Sequence, residues 1–360
     1  MSAPVLQPSR NQTVIWGNKK YLFFGGYDYH RLSQENSVVR AAVKTMRKYG
    51  VNCGGSRITT GNHPLHILLE EKISSFMGME NSILLPTGYM ANFALMEIFS
   101  DKRKLCFCDE KMHPSLKQAV CLSGCRPIYF KSRNVNDLKH KLKDSKNFIL
   151  ITDGVCGGLP PVTEYFNLCE KHKGFLVLDE AHCIGVLGDT GRGSCERAGI
   201  MSEQIILTGS LSKAPGTGGG FISGPLKLTE KIRKTIAYGT TSAPPLPVVA
   251  ASIASLDYLE KHPEDVKKLQ NISLSVKKIL KKAGYDIIVD EFPAVGIYIE
   301  DKVKSDYLYQ ACLGANIYPP FISYPERGDY FRFTFSSRHT AKQIHKLLKV
   351  LTDSADKILK

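Results

Sequence analysis

Asp179 and His182 stand three residues apart at the end of an apolar run, Phe175-Leu-Val-Leu-Asp179-Glu-Ala-His182. A second run, Ile205-Ile-Leu-Thr208-Gly-Ser210-Leu-Ser212-Lys213, ends in small polar residues and a single lysine, followed by Ala-Pro-Gly-Thr-Gly-Gly-Gly-Phe. In a doubly wound sheet, ligands bind at the carboxyl ends of strands, so both segments are expected to face one crevice. A carboxylate and an amine on neighbouring strand ends suit pyridoxal phosphate. The lysine forms a Schiff base with its aldehyde, and the aspartate keeps the pyridine nitrogen protonated. The glycines from Gly216 to Gly220 let backbone come close to the bound group. Either segment alone reads as a capped turn or a solvated loop; the pair, in this order, carries the expectation.

The elements that must hold these residues alternate along the chain. Ser82–Pro86, Leu105–Cys108, Phe148–Thr152, Phe175–Asp179, Ile205–Thr208 and Gly220–Ser223 are apolar runs of strand length. They lack polar alternation, as strands covered on both faces do. Between them lie helical patterns such as His63 to Phe76, with Leu65, Leu68, Leu69, Ile73 and Phe76 on one face. The expected class is α/β, a mostly parallel sheet wrapped by helices. After Gly239 the texture changes: Thr240-Thr-Ser-Ala-Pro-Pro-Leu-Pro247 breaks the pattern and a long helix follows. From residue 266 the order becomes helix, strand (Asp286 to Val289), strand (Val295 to Ile299), helix, strand (Tyr330 to Phe335), helix. The expected division is 1–50 as an N-terminal arm with a short strand at Tyr21–Phe24, 51–240 as a large cofactor-binding α/β domain, and 241–360 as a linker helix and smaller α+β domain.

The stretch Asp179-Glu-Ala-His182-Cys-Ile-Gly-Val-Leu-Gly188-Asp-Thr-Gly191-Arg192-Gly193 closely resembles the signature of the α-oxoamine synthases, fold-type-I pyridoxal-phosphate transferases. Three further stretches agree in order: Cys53-Gly-Gly-Ser-Arg-Ile-Thr-Thr-Gly-Asn-His-Pro-Leu-His66, Thr87-Gly88-Tyr89-Met-Ala-Asn92 and Asp109-Glu-Lys-Met-His113-Pro-Ser-Leu. The resemblance runs from about Tyr21 to the C-terminus. It implies a seven-stranded, mostly parallel sheet, and it implies roles. Lys213 would be the Schiff-base lysine, Asp179 the partner of the pyridine nitrogen, and His182 the partner of the cofactor's phenolic oxygen. His113 would stack on the ring and orient the substrate. Gly88 and Tyr89 would offer backbone N–H groups to the phosphate at a helix start. Ser210 would bind the phosphate as well, and Thr241 would reach the phosphate of the other subunit of a homodimer. Arg332, in Tyr330-Phe-Arg-Phe-Thr-Phe335, matches the arginine that grips the amino-acid carboxylate, which a guanidinium fork suits.

The implied reaction is a decarboxylative condensation of an amino acid with an acyl thioester, carried on coenzyme A or an acyl carrier protein. L-Alanine and a pimeloyl thioester are the expected pair. Glycine or serine with acetyl or long-chain acyl-CoA, and a non-catalytic cofactor-binding partner, stand as alternatives. Departures from the family pattern fall on the substrate side. Tyr27 replaces an asparagine, Pro114 follows His113 where alanine is usual, and Asp153 replaces a glutamate. Gly157 replaces a cofactor-contacting serine in a shorter loop, and Phe321 replaces a substrate-contacting threonine. The chain also has no counterpart of an arginine that relatives carry in an earlier arm. Lys213, Asp179 and both histidines are retained, which fits a changed acyl donor better than a lost activity.

Composition agrees with an ordinary globular chain: 360 residues, 43% hydrophobic, 23% charged. A net charge of +14 attracts acidic partners at long range but says little about fold. No nucleic-acid-binding module accompanies the charge, so nucleic acid is not expected. Lys267, Lys278, Lys281 and Lys282 share one side of a helix, expected to be a solvated face. The ten cysteines lack zinc-ligand spacing and read as reduced thiols of a cytoplasmic protein, with no metal site; Cys106 and Cys108 are expected on opposite faces of a strand. Met1-Ser-Ala-Pro-Val-Leu-Gln-Pro-Ser is not a signal peptide, and no apolar run approaches the ~20 residues of a membrane span.

Overall fold

The structure is a computed structural model that describes residues 4–101, 104–324 and 328–359. The chain divides into two compact units, one of residues 32–266 and one of residues 1–31 with 267–360.

The larger unit is built on a seven-stranded sheet in the order Asn81–Leu85, Gly220–Gly224, Ile205–Ser210, Phe175–Asp179, Ile149–Asp153, Leu105–Asp109, Arg126–Phe130. Gly220–Gly224 runs antiparallel to both neighbours and the pairs from Ile205–Ser210 outward are parallel, so the sheet is mostly parallel as expected. The apolar runs are buried because helices cover both faces, and they split into two cores. Leu150, Leu176, Leu178 and Leu207 belong to one, and Ile149, Ile151, Val177 and Ile206 to the other. Cys106 and Cys108 join the second core while Phe107 joins the first, so the two thiols share a face. A side-chain period of two puts residues i and i+2 on the same side, which reverses the expectation.

Helix starts are capped by the residues that precede them. His63 accepts the Leu65 N–H ahead of the helix Pro64–Met77, and Thr87 accepts the Met90 N–H ahead of Gly88–Glu97. The helix Leu246–Lys261 packs on Asn36–Tyr49 and Pro64–Met77, so this segment lies with the larger unit although the sequence change near residue 240 placed it with the C-terminal part.

In the smaller unit, Leu6–Ser9, Thr13–Trp16 and Lys19–Phe23 form an antiparallel meander that Ile317–Tyr318 joins in parallel. Ala294–Tyr298, Gly328–Thr334 and Phe321–Tyr324 form a second, antiparallel sheet. Phe24, Val276, Phe331, Phe333, Phe335, Leu347 and Leu351 fill its core. Asp286–Val289 is not a strand but an irregular connection after the helix Pro263–Lys282. On that helix Lys267, Lys278, Lys281 and Lys282 are exposed, while Lys277 is buried against Asp290 and the Phe292 carbonyl.

Candidate active site

Three neighbouring parallel strands, Leu105–Asp109, Ile149–Asp153 and Phe175–Asp179, each end in an aspartate, and Asp153 and Asp179 are register partners. Parallel partners present their side chains on the same face, so two carboxyl groups lie side by side at the carboxyl edge of the sheet. Asp179 is held by two donors: the Ala181 N–H reaches Oδ1 at 2.9 Å, and the Asn92 amide reaches Oδ2 at 2.9 Å. Asp153 accepts the His113 N–H at 2.7 Å on Oδ2. Burial pushes the Asp153 carboxyl well above the usual carboxylate range and the charge of Asp179 adds to it, while the His113 N–H and the nearby Lys213 ammonium oppose the rise. Lys213 stands in the turn that follows Ile205–Ser210, and its charge is felt at Asp153.

His113 caps the helix Pro114–Ser123: its Nδ1 accepts the Ser115 N–H at 3.2 Å and lies 2.8 Å from Ser115 Oγ. Pro114 at the first helical position suits this start, because its missing N–H has no partner to lose there. His182 is half-buried in the turn after Asp179. Ser210 Oγ lies 2.7 Å from Ser212 Oγ and accepts the Ser212 N–H at 3.2 Å, which folds the chain back at the strand end.

The turn Thr87–Gly88 approaches this edge closely. A Cβ on Gly220 would lie 2.2 Å from the Thr87 carbonyl carbon and oxygen, and one on Gly88 would lie 3.0 Å from Ser210 Cβ. Glycine at both positions is therefore a packing requirement. The first turn of the helix Gly88–Glu97 opens there with its positive dipole end, its Gly88 and Tyr89 N–H groups lying ahead of the first intrahelical bond, beside the Ser210 hydroxyl, which is joined to that of Ser212. A cradle of backbone N–H groups, a carboxylate held by two donors and a lysine amine within electrostatic reach fits pyridoxal phosphate. The first would take the phosphate, the second the ring nitrogen and the third the aldehyde. Tyr89 stacks on Phe93 with ring centroids 5.3 Å apart and its hydroxyl bonds Gln118. Thr241 donates its hydroxyl to the Ala237 carbonyl at 2.8 Å, and the next residue, Ser242, bridges to Ser56.

Arg332 belongs to the smaller unit, where its guanidinium lies over the Tyr27 ring at 5.3 Å from the centroid. Tyr27 is thus a partner of the arginine matched to carboxylate binding. Phe321 packs edge-on against Phe331 with centroids 5.2 Å apart, on the core side of its sheet. Gly157 and Gly158 take φ of 63° and 131°, so the shortened loop after Asp153 turns through conformations that a serine would adopt only with strain.

Asn92, Ser115 and Thr208 were not singled out by sequence reasoning. Asn92 is joined to Asp179, to Ser115 and to the Thr208 hydroxyl, and all three are buried with it. The available signal was a lone amide among Ala91, Ala94, Leu95 and Met96 on a buried helix face. Among the described residues, no group of three or more His, Cys, Asp or Glu could hold a metal ion, and no helix is long and apolar enough to cross a membrane.

Residues 19–351 match the family model of class I and II aminotransferases. An 8-amino-7-oxononanoate synthase of Thioalkalivibrio sulfidiphilus is 30% identical over 98% of this chain and 93% of its own length. A serine palmitoyltransferase of Bacteroides thetaiotaomicron is 27% identical over 96% and 90%. A solved serine palmitoyltransferase from S. paucimobilis with bound PLP–myriocin aldimine superposes with a TM-score of 0.91 at 26% identity, covering 99% of this chain and 93% of that one.

Proposed function

The chain belongs to the class I and II aminotransferase family, among its α-oxoamine synthases, and from that premise we propose that it joins L-alanine to a pimeloyl thioester to give 8-amino-7-oxononanoate, a step of biotin synthesis. The net reaction forms a bond between the amino-acid α-carbon and the acyl carbonyl carbon, expels the thiol and releases the amino-acid carboxylate as CO2. Pyridoxal phosphate, when bound, supplies the electron sink that makes the α-carbon nucleophilic.

The observation that supports the reading most is the sheet edge that carries Asp179, held by two donors, Asp153, which feels the Lys213 charge, and the glycine-tight turn at Thr87–Gly88. Asp179 would keep the ring nitrogen protonated, and His182 would bond the phenolic oxygen. Gly88, Tyr89 and Ser210 would hold the phosphate, with Thr241 doing so across a homodimer. Lys213 would bind the aldehyde and then take the substrate's α-proton. His113 would stack on the ring, and Arg332 would hold the amino-acid carboxylate through paired N–H donors. A cytoplasmic homodimer is the state this reading assigns.

A second reading, serine with a long-chain acyl-CoA, is favoured by the serine palmitoyltransferase relative and by the close superposition of its solved counterpart. The purified protein, loaded with pyridoxal phosphate, separates the two when its visible absorbance is followed during titration with alanine, glycine and serine. Saturable change with alanine alone, and CO2 release on adding pimeloyl-CoA or pimeloyl carrier protein, supports the first reading. Saturation with serine and turnover of palmitoyl-CoA replaces it with the second. Absence of visible absorbance after incubation with the cofactor, or a covalent cofactor adduct trapped by borohydride in Lys213→Ala as in the native protein, refutes the site. A stable band that no amino acid perturbs makes the chain a cofactor-binding partner without turnover.

A further inference from the structure

Asn92 lies on the helix Gly88–Glu97 and is 1% exposed. Its amide nitrogen donates to Asp179 Oδ2 at 2.9 Å and to Ser115 Oγ at 2.9 Å, and its amide oxygen accepts the Thr208 hydroxyl at 2.7 Å. Both amide hydrogens are therefore used, on two different elements, and the oxygen is anchored on a third. The neighbours fix which way the amide points. Flipped, it would turn its oxygen onto the Asp179 carboxylate, acceptor against acceptor.

The hydrogen-bond chain continues beyond Ser115, whose Oγ lies 2.8 Å from His113 Nδ1 while its backbone N–H donates to the same nitrogen at 3.2 Å. A backbone N–H can only donate, so Nδ1 is an acceptor and the neutral imidazole carries its proton on Nε2. Ser115 Oγ already accepts from Asn92, which leaves its own hydrogen to point at Nδ1. The polarity then runs one way, from the amide through the hydroxyl to the ring. On the other side, the His113 backbone is held by Asp153.

We propose that Asn92 is a positioning residue whose single amide orients the Asp179 carboxylate and, through the Ser115 hydroxyl, reinforces the Ser115 N–H in fixing the tautomer and ring orientation of His113. The group assigned to the cofactor's ring nitrogen and the ring assigned to stack on it are thereby set by one side chain. This rests on the roles given above to Asp179 and His113; the hydrogen-bond chain itself does not depend on a bound cofactor.

The test reads the His113 tautomer by two-bond 1H–15N correlation in protein carrying 15N-labelled histidine, with and without pyridoxal phosphate. The native protein should show protonated Nε2 and bare Nδ1. In Ser115→Ala, and in Asn92→Ala where the hydroxyl is no longer oriented, the 3.2 Å bond from the Ser115 N–H is left to hold Nδ1, so a second tautomer should become detectable, and Ser115→Thr, which keeps a hydroxyl, should restore the single one. Asn92→Ala should also weaken pyridoxal-phosphate binding by about 10- to 100-fold in equilibrium dialysis, the loss of one bond to a charged acceptor. A merely structural asparagine would lower the melting temperature and leave the tautomer untouched, and that result overturns the proposal. Should Asn92→Ala not fold, the native protein and Ser115→Ala still decide. A proton on Nδ1 in the first, or an unchanged tautomer in the second, overturns it equally. Failure of every form to bind the cofactor would instead remove the reading of the site, and is told apart because the tautomer is read in cofactor-free protein.

Discussion

Replacing Glu180 by glutamine removes a buried proton-binding group next to the site without changing its shape. Glu180 is fully buried, and its Oε2 accepts the Ser194 N–H at 3.0 Å. Burial pushes its carboxyl up from the ordinary 4.5 to about 7; the Ser194 backbone N–H works against that, and the charge of Asp179 adds to it. Between those two values the folded protein keeps a proton that the unfolded chain has released. Stability therefore falls as pH rises through the interval, by about 1.4 kcal/mol per pH unit. The interval from 4.5 to about 7 makes the whole loss about 3 kcal/mol. It is absent below 4.5 and complete above 7. Glutamine keeps an oxygen for the Ser194 N–H and cannot ionise. Urea unfolding of both proteins should then give curves whose difference grows from near zero at acidic pH to about 3 kcal/mol in favour of Glu180→Gln in mild alkali. A difference that does not change with pH would refute the reasoning, as would a variant that is the less stable of the two in alkali. Either result would mean that Glu180 is ionised in the native state and anchors Ser194 as a carboxylate.

Gly220→Ala puts a methyl group 2.2 Å from the Thr87 carbonyl, so chemical denaturation should show a loss of about 1–3 kcal/mol, accompanied by weaker pyridoxal-phosphate binding as the phosphate turn shifts. Arg332→Lys replaces a planar fork by a point charge, and the KM for the amino acid should rise about 10- to 100-fold with the KM for the thioester nearly unchanged. Equal effects on both would move Arg332 out of carboxylate binding. Asp153→Asn keeps an acceptor for the His113 N–H and removes a carboxyl that burial already favours as the neutral acid. Cofactor affinity measured by dialysis should change less than about threefold, whereas a loss of a hundredfold would require an ionised Asp153.

The central strands were legible because burial on both faces leaves an uninterrupted apolar run, which is why Phe175–Asp179 and Ile205–Ser210 could be placed with their polar ends. Arg126–Phe130 escaped the same reading because it is an edge strand. Only Phe130 is buried, and Pro127 is tolerated where one side of the ladder is open. Asp286–Val289 failed in the opposite sense: its apolar pair Ile287 and Ile288 is partly exposed and belongs to no ladder. Motif residues at strand ends could be named one by one because spacing along the chain reveals them. Asn92 could not, since its importance lies in partners 23, 87 and 116 residues away, and no local pattern encodes a hydrogen bond across that separation. Tyr27 is the same kind of case. It was visible as a departure, but its contact with Arg332 depends on bringing the chain's two ends together in one unit.

The row of aspartates at the strand ends has an internal logic. Asp109 is buried among donors, with the Lys111 N–H at 2.9 Å, the Ser132 hydroxyl at 3.0 Å and the Cys156 thiol at 3.2 Å, and Asp179 has the Ala181 and Asn92 donors. Asp153 stands between these two strands and feels both charges, so the proton of the group settles on it. The His113 N–H holds that rise in check, and the Lys213 ammonium adds a smaller opposing influence. A lysine that acts as a nucleophile must first give up its proton, and if Lys213 does so, one of the two influences opposing protonation of Asp153 is removed while the His113 N–H remains. Loss of the Lys213 charge and retention of the Asp153 proton therefore favour one another. Asp179 meanwhile keeps its donors throughout. The sheet edge thus distinguishes two adjacent carboxyl groups, one that its surroundings favour as the neutral acid and one held by two hydrogen-bond donors.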